Sequence, residues 1–127
     1  MFCLQSRTTR MNNPLHIDLL PFIEKIKTFP ISNDRGFDVL LFEMHQIAYD
    51  AYDYMLGDLP EKINEMKKKE AKEVIADLQA LKKQVAPLMN ILCNMNYDSK
   101  EMDRAKDFLG TIEEEIPKLI RKAKKNI

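Results

Sequence analysis

The sequence is poor in glycine, in cysteine and in long apolar runs. Only 3 of the 127 residues are glycine, which suits long helices connected by few tight turns. No apolar run approaches the roughly 18 residues that a helix needs to span a bilayer, so we expect no membrane interaction. Cys3 and Cys93 lie far apart in unlike surroundings. This favours two free thiols in a reducing compartment, with Cys93 as a small core residue.

A net charge of one sign is also absent. Twenty basic residues balance twenty acidic ones, so no overall field favours nucleic acid or an anionic membrane. The first ten residues contain Arg7 and Arg10 and no acid, a pattern shared with transit peptides but without the apolar core of a secretory signal. We predict a flexible N-terminal tail over residues 1–14, with Met1 or Met11 as the natural start, and a cytoplasmic protein.

The chain does contain a hydrophobic repeat of three and four residues along most of its length. Apolar residues at this spacing fall on one face of a helix, and no alternation of period two competes with them. The pattern predicts an all-α protein, with residues 15–127 forming one up-and-down bundle of about four helices. The repeat consists of Phe37, Leu40, Met44, Ala48, Ala51 and Met55, then Val74, Leu78, Leu81, Val85, Leu88, Leu92 and Met95, then Met102, Ala105, Leu109, Ile112, Ile116, Leu119 and Ala123.

The first two helices are predicted from this repeat and from proline and glycine. The first is short, about residues 15–29, and Pro21 either interrupts it or resets its start. Residues 31–36 have the composition of a turn. A second helix is expected over residues 37–56, because Gly57 stands where a glycine commonly ends a helix.

The third helix is predicted to be long, over residues 58–94. Asp58 is the expected cap at its start, and Pro87 should kink or divide it. Ser99, or the residue before it, should cap a fourth helix that reaches about residue 124.

The predicted second helix is apolar around most of its circumference. Its polar stripe is narrow, so the helix is either surrounded by its neighbours or open to a partner. A two-fold pairing would bury the same patch on both subunits and bring the acidic helix of one to the lysine-rich segment of the other. We therefore predict a homodimer, or a monomer built for a different protein partner. The candidate contacts are Leu41, Phe42, Tyr49 and Tyr52.

The same helix contains a histidine among carboxylates. These are residue types that bind metals or act as general bases. Glu43 and His45 are only two residues apart, however, so they point to different faces and do not form the inward Glu-x-x-His pair of di-iron bundles. The candidates for a metal- or nucleotide-dependent enzyme are Glu43, His45, Asp50 and Asp53. A partly exposed histidine at the edge of the core is the simpler interpretation.

The C-terminus is basic, with no acid among the last ten residues. Cations in the last turns of a helix favour its macrodipole, and the same cluster could hold the phosphates of RNA or DNA. No aromatic residue is interleaved there to stack a base, so nucleic-acid binding is an alternative prediction. The candidate phosphate-binding residues are Lys118, Arg121, Lys122, Lys124 and Lys125, with a second basic segment at Lys67, Lys68 and Lys69.

No nucleophile, base or metal set is evident on facing elements, and the glycine-rich or histidine-containing loops that often supply one are absent. The sequence therefore favours a small non-enzymatic protein-interaction module, such as a regulatory or accessory subunit, that needs no cofactor.

Overall fold

The computed structural model describes residues 13–30 and 34–127. These ranges contain five helices and no strand, so the all-α prediction is confirmed. Most of the predicted tail, residues 1–12, lies outside the described residues. Among the described residues, no helix has both the length and the apolar character needed to cross a bilayer. The helices are α1 (Leu20–Thr28), α2 (Asp34–Leu56), α3 (Asp58–Asn64), α4 (Lys68–Cys93) and α5 (Lys100–Lys124).

The first helix begins at Leu20, because Pro21 resets its start. Proline fits the first turn of a helix, where its missing N–H has no partner to lose, and Pro21 occupies that turn. The residues before it are not helical and are held by Gln84 of α4. The Oε1 atom of Gln84 accepts a hydrogen bond from the Leu19 backbone at 2.6 Å, and its Nε2 atom donates to the Ile17 carbonyl at 3.0 Å.

The second helix begins earlier than predicted and ends where predicted. Residues 34–36, predicted as part of a turn, are the first turn of α2. The Gly57 backbone follows the last residue of α2 and donates to the Asp53 carbonyl at 2.9 Å. Its φ of −98° is not left-handed, so conformational freedom does not explain the glycine. A Cβ atom at Gly57 would lie 3.0 Å from the backbone oxygen of Asp53. The close approach of this oxygen therefore explains why the residue is glycine.

The predicted long third helix is two helices, separated at residues 65–67. Lys67 has an extended backbone, and its N–H donates to the Glu70 carboxylate at 3.1 Å, which caps the start of α4. This local cap competes with continuation of α3. Asp58 is not the predicted cap: it is the first residue of α3, and the cap position belongs to Gly57, without a side-chain hydrogen bond.

The last two helices agree better with the prediction. α4 continues through Pro87 and ends at Cys93. The side chain of Cys93 is exposed, so the prediction that it is a core residue is wrong. Ser99 caps α5 as expected, with its Oγ atom accepting a hydrogen bond from the Met102 backbone at 3.0 Å. α5 then continues through Pro117 to its last residue.

Contacts at both ends show that α2 and α5 run in the same direction. At one end, the hydroxyls of Tyr97 and Ser99 both donate to Oδ1 of Asp38 in α2, each at 2.8 Å. At the other end, the Asn126 amide beyond α5 donates to the carbonyl of Ile63 in α3. α4 begins just after α3, beside the end of α5, and returns in the opposite direction.

The core is centred on α5, which contacts α2, α3 and α4. Every residue of the predicted hydrophobic repeat is buried except Met95, which is partly buried. The segment after α3 packs against the bundle through Met66 and the fully buried Ala71. No polar or charged residue is buried in the described ranges, so the interior is held by apolar packing.

We expect Leu109→Ala and Leu81→Ala each to lower the free energy of unfolding by about 2 to 5 kcal/mol, because both side chains are almost fully buried. Leu20→Ala is the matched control: this leucine is 56% exposed, and its loss should cost less than about 0.5 kcal/mol. Urea unfolding followed by circular dichroism measures all three. Losses below 0.5 kcal/mol at both core positions would contradict this assignment of the core face.

Candidate interaction site

Five ring side chains form a continuous strip along the seam between α2 and α5. Phe108 of α5 is at its base, with ring centroids 4.0 Å from Tyr52, 4.2 Å from His45 and 5.8 Å from Tyr49. Phe42 extends the strip, with its ring 6.4 Å from that of His45. These are separations of packed aromatic pairs. We call Phe42, His45, Tyr49, Tyr52 and Phe108 the aromatic strip.

The strip follows from helix periodicity and from the direction of α5. Its four members on α2 are spaced by three and four residues, so they share one side of the helix, beside the face that enters the core. The hydrogen bonds of Asp38 to the residues before α5 fix the two parallel helices in register. This register places Phe108 opposite the middle of the α2 row.

The outer part of the strip is open to water. Phe42 is 43% exposed and Tyr49 is 47% exposed, and the neighbouring Val39 is 53% exposed. At about 200 Å² for an aromatic side chain, Phe42 and Tyr49 together leave roughly 180 Å² uncovered. A partner that covered both would remove this largely apolar area from water, although only the part of that gain that exceeds the cost of ordering the two proteins appears as affinity.

The structure separates the four predicted partner contacts. Phe42 and Tyr49 are exposed, and Tyr52 is half-buried against Phe108. Leu41 is fully buried, so it is unavailable to a partner and we remove it from the site. Leu41 lies on the core face of α2, whereas its neighbour Phe42 is about 100° further around the helix. The sequence prediction placed both in one contact surface because they are adjacent apolar residues.

Phe108 is a site residue that the sequence analysis missed. It precedes the core residue Leu109 in α5 and lies just beside the buried stripe, half-buried itself. A bulky aromatic residue at the edge of an amphipathic stripe was the only available signal. Its role depends on which helix lies alongside, and the hydrophobic repeat does not contain that information.

A row of carboxylates lies on the exposed side of α2 that is turned away from α5, where Asp50 and Asp53 line a cavity with the segment before α1. Glu43, Asp50 and Asp53 are all exposed, and none forms an ion pair with another residue in the described ranges. The sequence contains no lysine or arginine between Gly36 and Glu61, and Arg35 at the start of α2 is eight residues before Glu43, so no cation of α2 is adjacent to this row. We call Glu43, Asp50 and Asp53 the acidic edge.

The carboxylates of α2 do not converge with His45. The Nδ1 atom of His45 is buried and has no hydrogen-bond partner among the described residues, and its ring packs against Phe42, Tyr49 and Phe108. His16, the other histidine, lines a cavity with Asp50 and Asp53 and contacts Asp77 at 2.9 Å. In the part of the chain that the structure describes, no three side chains of metal-binding type are grouped to hold an ion. The metal-site prediction gains no support from this geometry.

The basic C-terminus lies at the end of the bundle. Of its five predicted phosphate-binding residues, Lys118 is paired with Glu115 at 3.1 Å. The contact between Asn126 and the Ile63 carbonyl places this C-terminus beside the connection from α3 to α4, where the second basic segment begins. We call the resulting cluster the basic end; it comprises Lys67, Lys68, Lys69, Arg121, Lys122, Lys124 and Lys125.

Comparison of the chain with protein-family models, with curated proteins and with solved structures gives no match. The aromatic strip, the acidic edge and the basic end therefore supply the basis for inferring function.

We expect Phe108→Ala to lower the free energy of unfolding by about 1 to 3 kcal/mol, because its half-buried ring packs against three others. Tyr49→Ala should cost less than about 1 kcal/mol, because nearly half of this residue is in water. Thermal and urea unfolding give both values. Equal losses of unfolding free energy in the two variants would mean that the outer rings stabilise the fold and are not a surface available to a partner.

Proposed function

We propose that this protein is a small non-enzymatic interaction module, a regulatory or accessory subunit, that binds a protein partner through the aromatic strip. The main support is that the exposed residues Phe42 and Tyr49 belong to one packed row of rings, whereas Leu20 and Ile127, which are also exposed, do not. Aromatic residues are enriched in the buried centres of protein interfaces, where they supply large contact areas.

The proposed scaffold is an up-and-down bundle in which α3 continues the path of α2. Its support is that α2 and α5 run in one direction while α4 returns in the other. A bend at Pro87 belongs to the same proposal, because proline removes a hydrogen bond from the helix interior. Such a scaffold holds the rings of the strip in place before a partner arrives.

Charge favours a different protein over a second copy as the partner. A two-fold interface sets the same patch of each subunit against its copy. Asp53 is four residues after Tyr49 and shares its side of α2, so an interface centred on the exposed rings would bring Asp53 close to the Asp53 of the other subunit. Like charges brought together at an interface cost several kcal/mol. We therefore favour a hetero-partner over the homodimer that is the other prediction from the sequence.

Site-specific photocrosslinking tests the proposed function. Benzoylphenylalanine replaces Phe42 in one variant and Leu20, an equally apolar and exposed residue on α1, in the control. We expect irradiation of cells that produce the chain to give a discrete adduct with another protein from position 42. The same adduct should be absent from position 20 and greatly reduced when Tyr49→Ser is added.

Three results would contradict the proposal in different ways. No adduct from position 42 beyond that from position 20 would remove the interaction function. An adduct unaffected by Tyr49→Ser would show that the partner is bound near position 42 without help from Tyr49, so the strip as a whole would not be the binding surface. An adduct between two copies of the chain, matched by a dimeric mass in light scattering, would restore the homodimer.

A second candidate function is binding of RNA or DNA by the basic end. The contact between Asn126 and Ile63 supports it, because this contact gathers two basic segments that are far apart in sequence. Phosphate contacts by lysine and arginine give affinity that falls steeply with salt. The weakness of this function is the lack of an aromatic residue among the last ten residues for stacking a base.

We expect no saturable binding of a fluorescent single-stranded RNA or a DNA duplex at physiological salt, measured by anisotropy. Saturable binding would establish the second function if Lys122→Gln, Lys124→Gln and Lys125→Gln together weakened it and lowered the slope of log affinity against log salt by up to about 3. The control replaces Lys82, Lys83 and Lys100, which are exposed elsewhere, and changes the net charge equally.

A further inference from the structure

We propose that residues 13–28 form a releasable strap that covers a helix-binding groove between α2 and α4. The strap comprises the non-helical residues 13–19 and the helix α1. This inference goes beyond the proposed function, because it concerns a surface other than the aromatic strip. Three features support it: the polar contacts that hold the strap, the cavities that flank its start, and the dependence of α1 on the groove.

The non-helical part of the strap is held by two polar residues of α4. The Nδ2 atom of Asn13 donates to Oδ2 of Asp77 at 3.3 Å, and Nε2 of His16 lies 2.9 Å from Oδ1 of the same carboxylate. Gln84 binds the two backbone groups before α1 that are described above. Asp77 and Gln84 are seven residues apart, about two helical turns, so they share one side of α4. Loss of these two side chains would remove the polar attachment of the strap to α4.

Four apolar side chains of the strap fill the groove. Leu15, Leu19, Phe22 and Ile26 are each at most 5% exposed, and α1 contacts both α2 and α4. Their spacing of four, three and four residues is that of one face of an amphipathic helix. The groove therefore fits a segment with apolar residues at positions i, i+4, i+7 and i+11, and the strap of this chain is its occupant.

The start of the strap is loosely packed. Asn13 and His16 line two surface cavities, one of about 450 Å³ shared with Asp50 and Asp53 of α2, and one of about 460 Å³ shared with Val74 of α4. Each cavity has room for many water molecules. Water therefore lies beside the polar contacts of this segment, and it can replace them when the strap leaves, so breaking them costs little.

The helix α1 depends on the groove for its form. It has nine residues, fewer than the roughly 12 to 15 that an isolated helix needs in water, and Leu19 at its N-cap has no side-chain acceptor to cap it. A released strap would lose this helix and regain backbone entropy, which offsets part of the cost of exposing its apolar residues. The other helices keep their common neighbour α5, so the centre of the core remains in place.

A peptide added in trans tests the groove on the full chain. The probe is a labelled peptide with the sequence of residues 13–28, and the chain contains Leu19→Ser and Phe22→Ser, which remove two anchors of the strap and leave the groove unchanged. We expect fluorescence anisotropy to show at least tenfold tighter binding to this variant than to the unsubstituted chain, because the intact strap competes with the peptide. Circular dichroism should show that the variant keeps its other helices.

Two controls accompany the peptide experiment. A chain with Leu20→Ser, at an exposed position of α1, should bind the peptide no better than the unsubstituted chain does. A peptide that contains the two serine substitutions should bind the variant at least tenfold more weakly than the original peptide.

Hydrogen exchange tests release of the strap without any peptide. Asp77→Ala with Gln84→Ala should accelerate amide exchange in α1 at least tenfold and in the buried stripe of α5 less than threefold, because only the attachment of the strap is weakened. The control is Gln79→Ala with Asp107→Ala, which removes exposed residues of the same types. It should change exchange in both helices less than threefold.

Four results would overturn the inference. If the double serine variant does not bind the peptide, the groove does not accept a segment in trans. If this variant loses most of its helical signal, the strap is an integral part of the core. Equal acceleration of exchange in α1 and α5 would mean that the strap opens only when the whole chain unfolds. Unchanged exchange in α1 would mean that Asp77 and Gln84 do not hold the strap. The photocrosslink from position 42 tests the proposed function independently of all four.

Discussion

Burial of the apolar stripe of α5 is the constraint on which the rest of the structure depends. This helix contacts α2, α3 and α4, and its stripe from Met102 to Ala123 is buried throughout. The three neighbours therefore cannot be placed independently of it. Because no polar residue is buried in the described part of the chain, apolar burial supplies the driving force. That force is non-directional, so it does not by itself determine how far one helix slides along another.

Polar contacts at the two ends of the bundle supply the missing register. Asp38 accepts hydrogen bonds from Tyr97 and Ser99 at one end, and the Ile63 carbonyl accepts one from Asn126 at the other. A slip of one helical turn, about 5.4 Å, would break these contacts. It would also move Phe108 away from the α2 rings. The geometry of the interaction site therefore depends on hydrogen bonds that lie far from its exposed rings.

The sequence predicts those features that depend on local periodicity. The buried stripes and the cap at Ser99 belong to this class, because neighbours along the chain determine both. The break before α4 was not predicted, since the Lys67–Glu70 cap resembles many helical pairs that interrupt nothing. The aromatic strip was predicted only in part: α2 contributes rings that periodicity can group, but Phe108 joins them through the tertiary arrangement. Leu41 was wrongly predicted as a partner contact. Consecutive apolar residues lie all around a helix, so their sequence alone does not indicate which of them face the core.

The surface around the strip is poorly explained by the stability of the fold alone. Asp50 and Asp53 are three residues apart on one side of α2, so they repel each other, and aspartate is a poor residue for a helix interior. Phe42 and Tyr49 keep apolar area in water that a polar residue would not. Both features would become favourable if the proposed partner covered them. The rings already pack against one another, so part of their side-chain freedom is lost during folding and not during binding. The proposed interaction function would account for a surface that weakens the isolated helix and whose rings are already held in place before binding.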